Sequence, residues 1–296
     1  MSAAPLWIVG APFSGVARLA ATLGTHPAFH AIPETSLFVA DRVDELLEIF
    51  EIGQGSNADG LLRALAALEF GGDDDDGVAQ ARQWLAARGD WSTAAVFAHL
   101  RARAGARRLV IPDTEAVLRP ADLARLRAAA EDATIVHLVR HPRVYGTLFA
   151  RWLADRLFVA KDFRDHAQPM APIDPQIAWL RINRNIETWL KPAFATRYLL
   201  LRDEDLGAER DTALAALLRA VGADATPAVV AQLDAADWPF WGYGPPTAPY
   251  GLEAEVLESL SPDRGDAQLG GALPWRADGR EFAPEIIDMA RTYRYG

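Results

Sequence analysis

The chain contains no cysteine, which excludes disulfides, thiolate metal sites and a cysteine nucleophile. It also lacks any apolar run long enough to cross a bilayer. Its first residues lead straight into an apolar stretch, without the basic, apolar and small-residue segments of a signal peptide. An excess of basic residues is missing too: 30 Lys and Arg against 40 Asp and Glu leave a net charge of −10. That balance argues against a general nucleic-acid or membrane-surface binder, while a local arginine cluster still outweighs a distant acidic surface for a small anion. The expectation is a cytoplasmic protein with neither nucleic acid nor membrane as partner. What is present suits a globular chain: 296 residues, 50% hydrophobic and 24% charged, enough to bury a large core. The acidic run Asp73 to Asp76 reads as a solvated loop, since no EF-hand spacing follows it.

Short apolar runs bounded by breakers predict strands at Leu6 to Val9, Arg108 to Ile111, Thr134 to Val139 and Tyr198 to Leu201. Helical spacing of Leu and Ala fills the segments between them, most clearly Ala17 to Leu23, Thr35 to Phe50, Gly60 to Leu68, Val78 to Ala87 and Thr93 to Ala104. It continues over Ala121 to Ala130, Val144 to Leu157, Pro175 to Trp189 and Asp211 to Val221, with a last helix from Pro284 to Tyr293. Strands separated by helices predict an α/β fold with a mostly parallel sheet and helices on both faces. Ligands of such sheets bind beyond the carboxyl ends of the strands, here after Val9, Ile111 and Val139. Residues 36–106 read as a helical insertion over one sheet edge. Residues 238–277 dissolve into proline, glycine and aromatic residues, as in Trp238-Pro239-Phe240-Trp241-Gly242. No internal repeat is visible.

Residues 5–18 read as a buried strand that turns through glycines into a helix, a junction that aims backbone N–H groups at one point. Gly10 and Gly15 have the spacing of the nucleoside-triphosphate loop, but Val16 and Ala17 stand where its Lys and Ser/Thr belong. An ordinary kinase or ATPase is thereby disfavoured; a plain glycine turn closing one βα unit fits equally well. A second strand, Thr134 to Val139, runs into Arg140-His141-Pro142-Arg143 and another helix. An arginine there suits a bidentate phosphate contact, or else a helix cap with a solvated charge.

The pairing of these two elements resembles the sulfotransferases that use 3′-phosphoadenosine 5′-phosphosulfate (PAPS), most of all the bacterial branch near the tyrosylprotein type. Gly10-Ala11-Pro12-Phe13-Ser14-Gly15 and Thr25-His26-Pro27 match the first loop and the end of its helix. Pro33-Glu34-Thr35 matches the acidic motif downstream, and His137 to Arg143 the second element. Leu201-Arg202-Asp203-Glu204-Asp205-Leu206 is similar to the late Arg-Tyr-Glu-Asp-Leu segment, and Trp238 to Gly251 to the tail of one bacterial subgroup. The resemblance implies a P-loop NTPase-like, sulfotransferase-type fold over residues 1–296. It implies PAPS as cofactor, no metal, and a small-molecule acceptor whose hydroxyl receives a sulfuryl group. Pro12, Phe13, Ser14, Gly15, Val16, Ala17 and Arg18 would form the phosphosulfate loop. Arg140, Thr147 and Leu148 would face the 3′-phosphate. Glu34 matches the family's base position, although the residues alone equally suggest a partner for the N-terminus of a helix starting at Thr35.

The chain departs from the pattern where charge matters. Phe13 replaces the loop arginine, Val16 and Ala17 replace the hydroxyl pair, and counting eight from Arg140 reaches Leu148 instead of serine, with Thr147 one place early. Asp113-Thr114-Glu115 stands where the branch often carries Lys-Thr-Pro, so two carboxylates would repel a polyanion. Each lost charged contact weakens binding by roughly 1.5–3 kcal/mol. Arg18, Arg143 and Arg151 are the nearby compensating cations, and each equally suits a solvated helix face. His26 reads as a helix-end residue, and most of the nine tryptophans as core packing. Three functions follow: PAPS-dependent sulfuryl transfer, acid–base chemistry repurposed on the same fold without PAPS (elimination, hydrolysis or cyclisation), or a non-catalytic binding protein.

Overall fold

The computed structural model describes residues 3–52, 56–153, 163–166, 172–250, 268–276 and 278–296. Five strands form one parallel sheet in the order β2-β3-β1-β4-β5, from β1 (Leu6–Val9), β2 (Phe29–Ala31), β3 (Arg108–Asp113), β4 (Thr134–Val139) and β5 (Tyr198–Arg202). All of Leu-Trp-Ile-Val in β1 is buried, as a strand covered on both faces must be. β2 is the strand that apolar periodicity does not show. It is three residues long, and His30 interrupts its hydrophobic run.

Alternation along β1 splits the core in two. Leu6 and Ile8 face α1 (Val16–Gly24), α10 (Arg210–Ala220) and α11 (Pro227–Ala231). Trp7 and Val9 face α6 (Pro120–Ala129), α7 (Pro142–Leu153), α8 (Pro175–Asn185) and the insertion. The insertion is helical in its described residues, with α2 (Val43–Ile52), α3 (Asp59–Leu65), α4 (Asp75–Ala86) and α5 (Thr93–Arg103). It shares the Trp7 core, as in the Trp7–Phe97 and Trp7–Phe38 ring contacts, so it covers a sheet face and not merely an edge. The short α9 (Asp203–Ala208) follows β5 directly, and α12 (Pro284–Thr292) closes the chain.

Two local expectations are corrected. No helix starts at Thr35: Ser36 adopts φ 48, a short 3-10 turn covers Leu37–Val39, and α2 begins only at Val43. The acidic run is solvated at Asp74 to Asp76, as expected, but it is a loop only as far as Asp74, because Asp75 and Asp76 open α4. Asp73 pairs with Arg63, Asp74 caps α4 by accepting from Gly77 N, and Asp75 accepts from Thr247 Oγ1 at 2.6 Å. The end of the helix expected to reach Leu157, and residues 251–267 of the irregular tail, lie outside the described residues.

Candidate functional site

The loops and strand ends singled out for chemistry share one edge of the sheet, while Arg18 lies in α1 and Thr147 and Leu148 in α7. Chain order and sheet order together set the strand-end residues along that edge: Glu34 after β2, Asp113 to Glu115 at β3, the glycine loop after β1, Arg140 after β4, and Asp203 after β5. Crossovers leave β1 toward β2 and β3 first and toward β4 and β5 later, which opens a crevice at the end of β1. With neighbouring strands about 4.8 Å apart, Glu34 and Asp113 to Glu115 lie on one side of the loop, and Arg140 and Asp203 on the other.

The loop keeps the shape of an anion cradle. Gly15 sits at φ 84 just before α1, and Ser14 N donates to Ala11 O at 3.0 Å. A Cβ on Gly15 would stand 2.2 Å from Asp203 Oδ1, so no larger residue fits. Ser14 Oγ is buried without a hydrogen-bond partner. Phe13 is held at φ 65 with its ring against Phe149 and Trp152, so the expected cation position is part of an aromatic cluster. Val16 is buried in the α1 core, while Pro12 and Ala17 are half-buried.

The two arginines meet one carboxylate. Arg140 donates from Nε to Asp203 Oδ2 at 3.0 Å and also from Nη2 to that oxygen, and Arg18 Nη2 donates to Oδ1 at 2.9 Å. The Arg140 and Asp203 side chains are each 1% exposed, against 23% for Arg18. Arg18 therefore does turn back toward the loop, but to an acid. Of the residues expected beside Arg140, Thr147 Oγ1 donates to Arg143 O at 2.9 Å and Leu148 is buried. Arg143 is engaged with the carbonyls of Gln268, Gly270, Gly271 and Ala272, and His26 with Asp224 O and Ala28 N.

Across the loop, Glu34 is held by Thr114, whose N–H donates to Oε1 at 2.5 Å and whose Oγ1 lies 2.9 Å from Oε1 and 3.1 Å from Oε2. Burial and the neighbouring carboxylates of Asp113 and Glu115 push the Glu34 carboxyl up to about 8, overcoming the Thr114 bonds that favour ionisation. Asp113 is itself pushed up to about 7 by burial, although it accepts from Trp7 Nε1, Glu115 N and Ala116 N. Glu115 is raised by burial as well. A cleft of about 160 Å³ opens here, lined by Pro33, Glu34, Ser36, Asn57, Glu115 and Tyr250. A larger cleft of about 440 Å³ lies beside α1, α9 and α10, with Arg18, Arg210 and Trp241 in its walls. No group of metal-ligating side chains occurs among the described residues.

Sequence reasoning missed two members of this edge, Thr114 and Asp203. Each carried a signal: Thr114 keeps the hydroxyl of the related Lys-Thr-Pro motif, and Asp203 stands at the tyrosine of the Arg-Tyr-Glu-Asp-Leu segment.

Comparison with known proteins agrees with this architecture. The chain superposes on the sulfotransferase domain of the Synechococcus PCC 7002 olefin synthase with TM-score 0.70 and 22% identity, covering 99% of this chain and 94% of that one. The sulfotransferase domain from the curacin biosynthetic pathway gives TM-score 0.71 and 18% identity, over 100% of this chain and 99% of that one. Curated proteins provide no match. The likeness to these domains identifies the parallel sheet as the P-loop NTPase-like kind. Residues 5–227 match the sulfotransferase family, and the chain belongs to it.

Proposed function

We propose that this chain is an enzyme in which the Glu34 carboxylate takes a proton from a hydroxyl of a small molecule bound in the adjoining cleft. The activated oxygen then closes a ring by attacking an electrophilic carbon of the same molecule, whose leaving group departs; with the same base, a hydrolysis would take the proton from water and an elimination from a C–H beside the leaving group, and none of these needs a sulfonucleotide. The observation that carries the reading is the desolvated Glu34 carboxyl, anchored by Thr114 and pushed up to about 8. A base raised this far is stronger than an ordinary carboxylate yet still ionises near neutral pH, which is where general bases work best. The structural neighbours come from an olefin synthase and from the curacin biosynthetic pathway, a context that supports a small biosynthetic acceptor.

PAPS is the cofactor that the family implies, and the residues of the cradle do not fit it. Gly15 and the unpartnered Ser14 hydroxyl suit an anion. Against them, Phe13 removes the loop cation, Asp203 engages both Arg18 and Arg140, and Leu148 offers no hydroxyl. No step is therefore routed through a sulfonucleotide. Sulfuryl transfer from PAPS is the second reading, favoured by the family match and by Ser14.

One set of measurements separates the two. Metabolite extracts incubated with the enzyme and followed by mass spectrometry should show a conversion that Glu34→Gln abolishes. Its rate should rise with pH to a plateau above about 8. Conversion should be independent of added PAPS, and calorimetry should find adenosine 3′,5′-bisphosphate binding no tighter than millimolar. Conversion only with PAPS establishes the second reading, and full activity in Glu34→Gln refutes both.

A further inference from the structure

We propose that Asp203 is a built-in anion: its carboxylate occupies the guanidinium pair of Arg18 and Arg140 beneath the glycine loop and keeps external anions out of the cradle. The inference deepens the nucleotide-free reading above and rests on it. Its grounds are geometric. Each carboxylate oxygen has its own arginine, Oδ1 with Arg18 at 2.9 Å and Oδ2 with Arg140 at 3.0 Å, so both acceptor atoms meet charge-assisted donors. The arginines come from chain positions 185 and 63 residues distant, so three separate segments converge on one negative group.

The carboxylate also lies against the loop itself, where a Cβ on Gly15 would be 2.2 Å from Oδ1. The carboxylate therefore packs against the turn itself, on the side where a Gly15 side chain would stand, while its hydrogen bonds go to the two arginines. The Asp203 side chain is 1% exposed and belongs to a residue fully shielded from solvent. A phosphate brought to the same arginines would meet a buried like charge in a low-dielectric setting, or would have to displace it. Phe13 removes the one cation that would offset this repulsion, since its ring packs on Phe149 and Trp152. The buried Ser14 hydroxyl in the same loop makes no hydrogen bond to the chain, Asp203 included. Loop and cations are thus both present, and the chain's own carboxylate engages the cations.

The test is anion binding and not turnover, so its outcome is separate from that of Glu34. Wild type and Asp203→Asn are titrated with inorganic pyrophosphate and with sulfate at constant ionic strength. Asp203→Asn should bind pyrophosphate at least tenfold tighter than wild type, and Arg18→Gln added to it should take most of that gain back. A gain under threefold overturns the proposal and leaves Asp203 as a structural ion-pair partner only. Should Asp203→Asn not fold in chloride buffer, refolding in sulfate but not in chloride of matched ionic strength supports the proposal, because the external ion then replaces the lost carboxylate. Failure to refold in either buffer counts against it. Activity lost in Glu34→Gln alongside an unchanged Asp203→Asn would leave the acid–base reading standing and remove only this inference.

Discussion

Glu34 is a residue whose environment opposes its own charge. A carboxyl raised from 4.5 to about 8 binds its proton more tightly in the folded state than in the unfolded chain. Its stabilising contribution is complete below pH 4.5 and is lost as the pH rises through about 8. Within that window each pH unit costs up to about 1.4 kcal/mol. Asp113, pushed up to about 7, adds to the same slope. Glu34→Gln keeps an oxygen for the Thr114 N–H and removes the ionisation. Its stability relative to wild type should therefore rise between pH 5 and pH 8, by up to about 1.4 kcal/mol for each unit. Urea unfolding at the two pH values measures this, and parallel pH dependences for the two proteins would contradict it. Asp113 and Glu115 stand together at the end of one strand, so these two carboxylates could be read from the sequence, while the bond of Thr114 to Glu34 across strands could not. The neutralised arginines could not be, because Asp203 lies far from both of them in sequence and no local spacing rule connects the three.

Among the elements, the strands β1, β3, β4 and β5 were legible because continuous apolar runs have one buried solution in a parallel sheet. The segment after β2 was not. Helical spacing from Thr35 onward is real, yet Ser36 turns left-handed and delays the helix to Val43. Periodicity reports which side chains are apolar and carries no information about one backbone angle. Tertiary contact fixes that segment: α3 approaches so closely that a Cβ on Gly60 would stand 1.8 Å from Glu34 O. Gly60→Ala is therefore a contest between two terms. Alanine gains about 1 kcal/mol in helix propensity, while overpacking against a backbone carbonyl costs about 1–3 kcal/mol. The clash is with main chain that no rotamer change relieves, so the net effect should be destabilising by about 1–2 kcal/mol. The substitution should also lower the titration midpoint of Glu34, read by carboxyl NMR, because displacing its backbone readmits water. An unchanged midpoint would mean that α3 moves and the Glu34 segment does not.

For the molecule as a whole, the helical insertion and the irregular tail meet over the Glu34 cleft, and buried charge holds them there. Arg63 of α3 is 2% exposed. It donates to Asp73 from Nε at 2.8 Å and Nη2 at 2.7 Å, reaches Tyr250 O from Nη1 at 3.3 Å, and lies over the Phe240 ring. Asp59 accepts from Tyr250 N at 3.1 Å, and Arg82 donates to Thr247 O at 2.9 Å. Tyr250, which lines the cleft beside Glu34, is thus positioned by a strap tied to the insertion. Composition showed an aromatic tail, but only the fold shows that its carbonyls are the partners of the buried Arg63 and the exposed Arg82. Arg63→Met preserves much of the side-chain volume and strands Asp73 and the Tyr250 carbonyl. Removing one member of a buried pair costs about 3–5 kcal/mol, and the 19% exposure of Asp73 places this case at the lower end, about 3 kcal/mol. The exposed pair Arg42–Asp44, with both side chains near half exposure, is the control, and Arg42→Met should leave stability nearly unchanged. Equal losses in the two variants would show that the strap is not anchored by charge. A loss of about 3 kcal/mol confined to Arg63→Met, accompanied by weaker substrate binding with Glu34 intact, would tie the acceptor cleft to the tail that covers it.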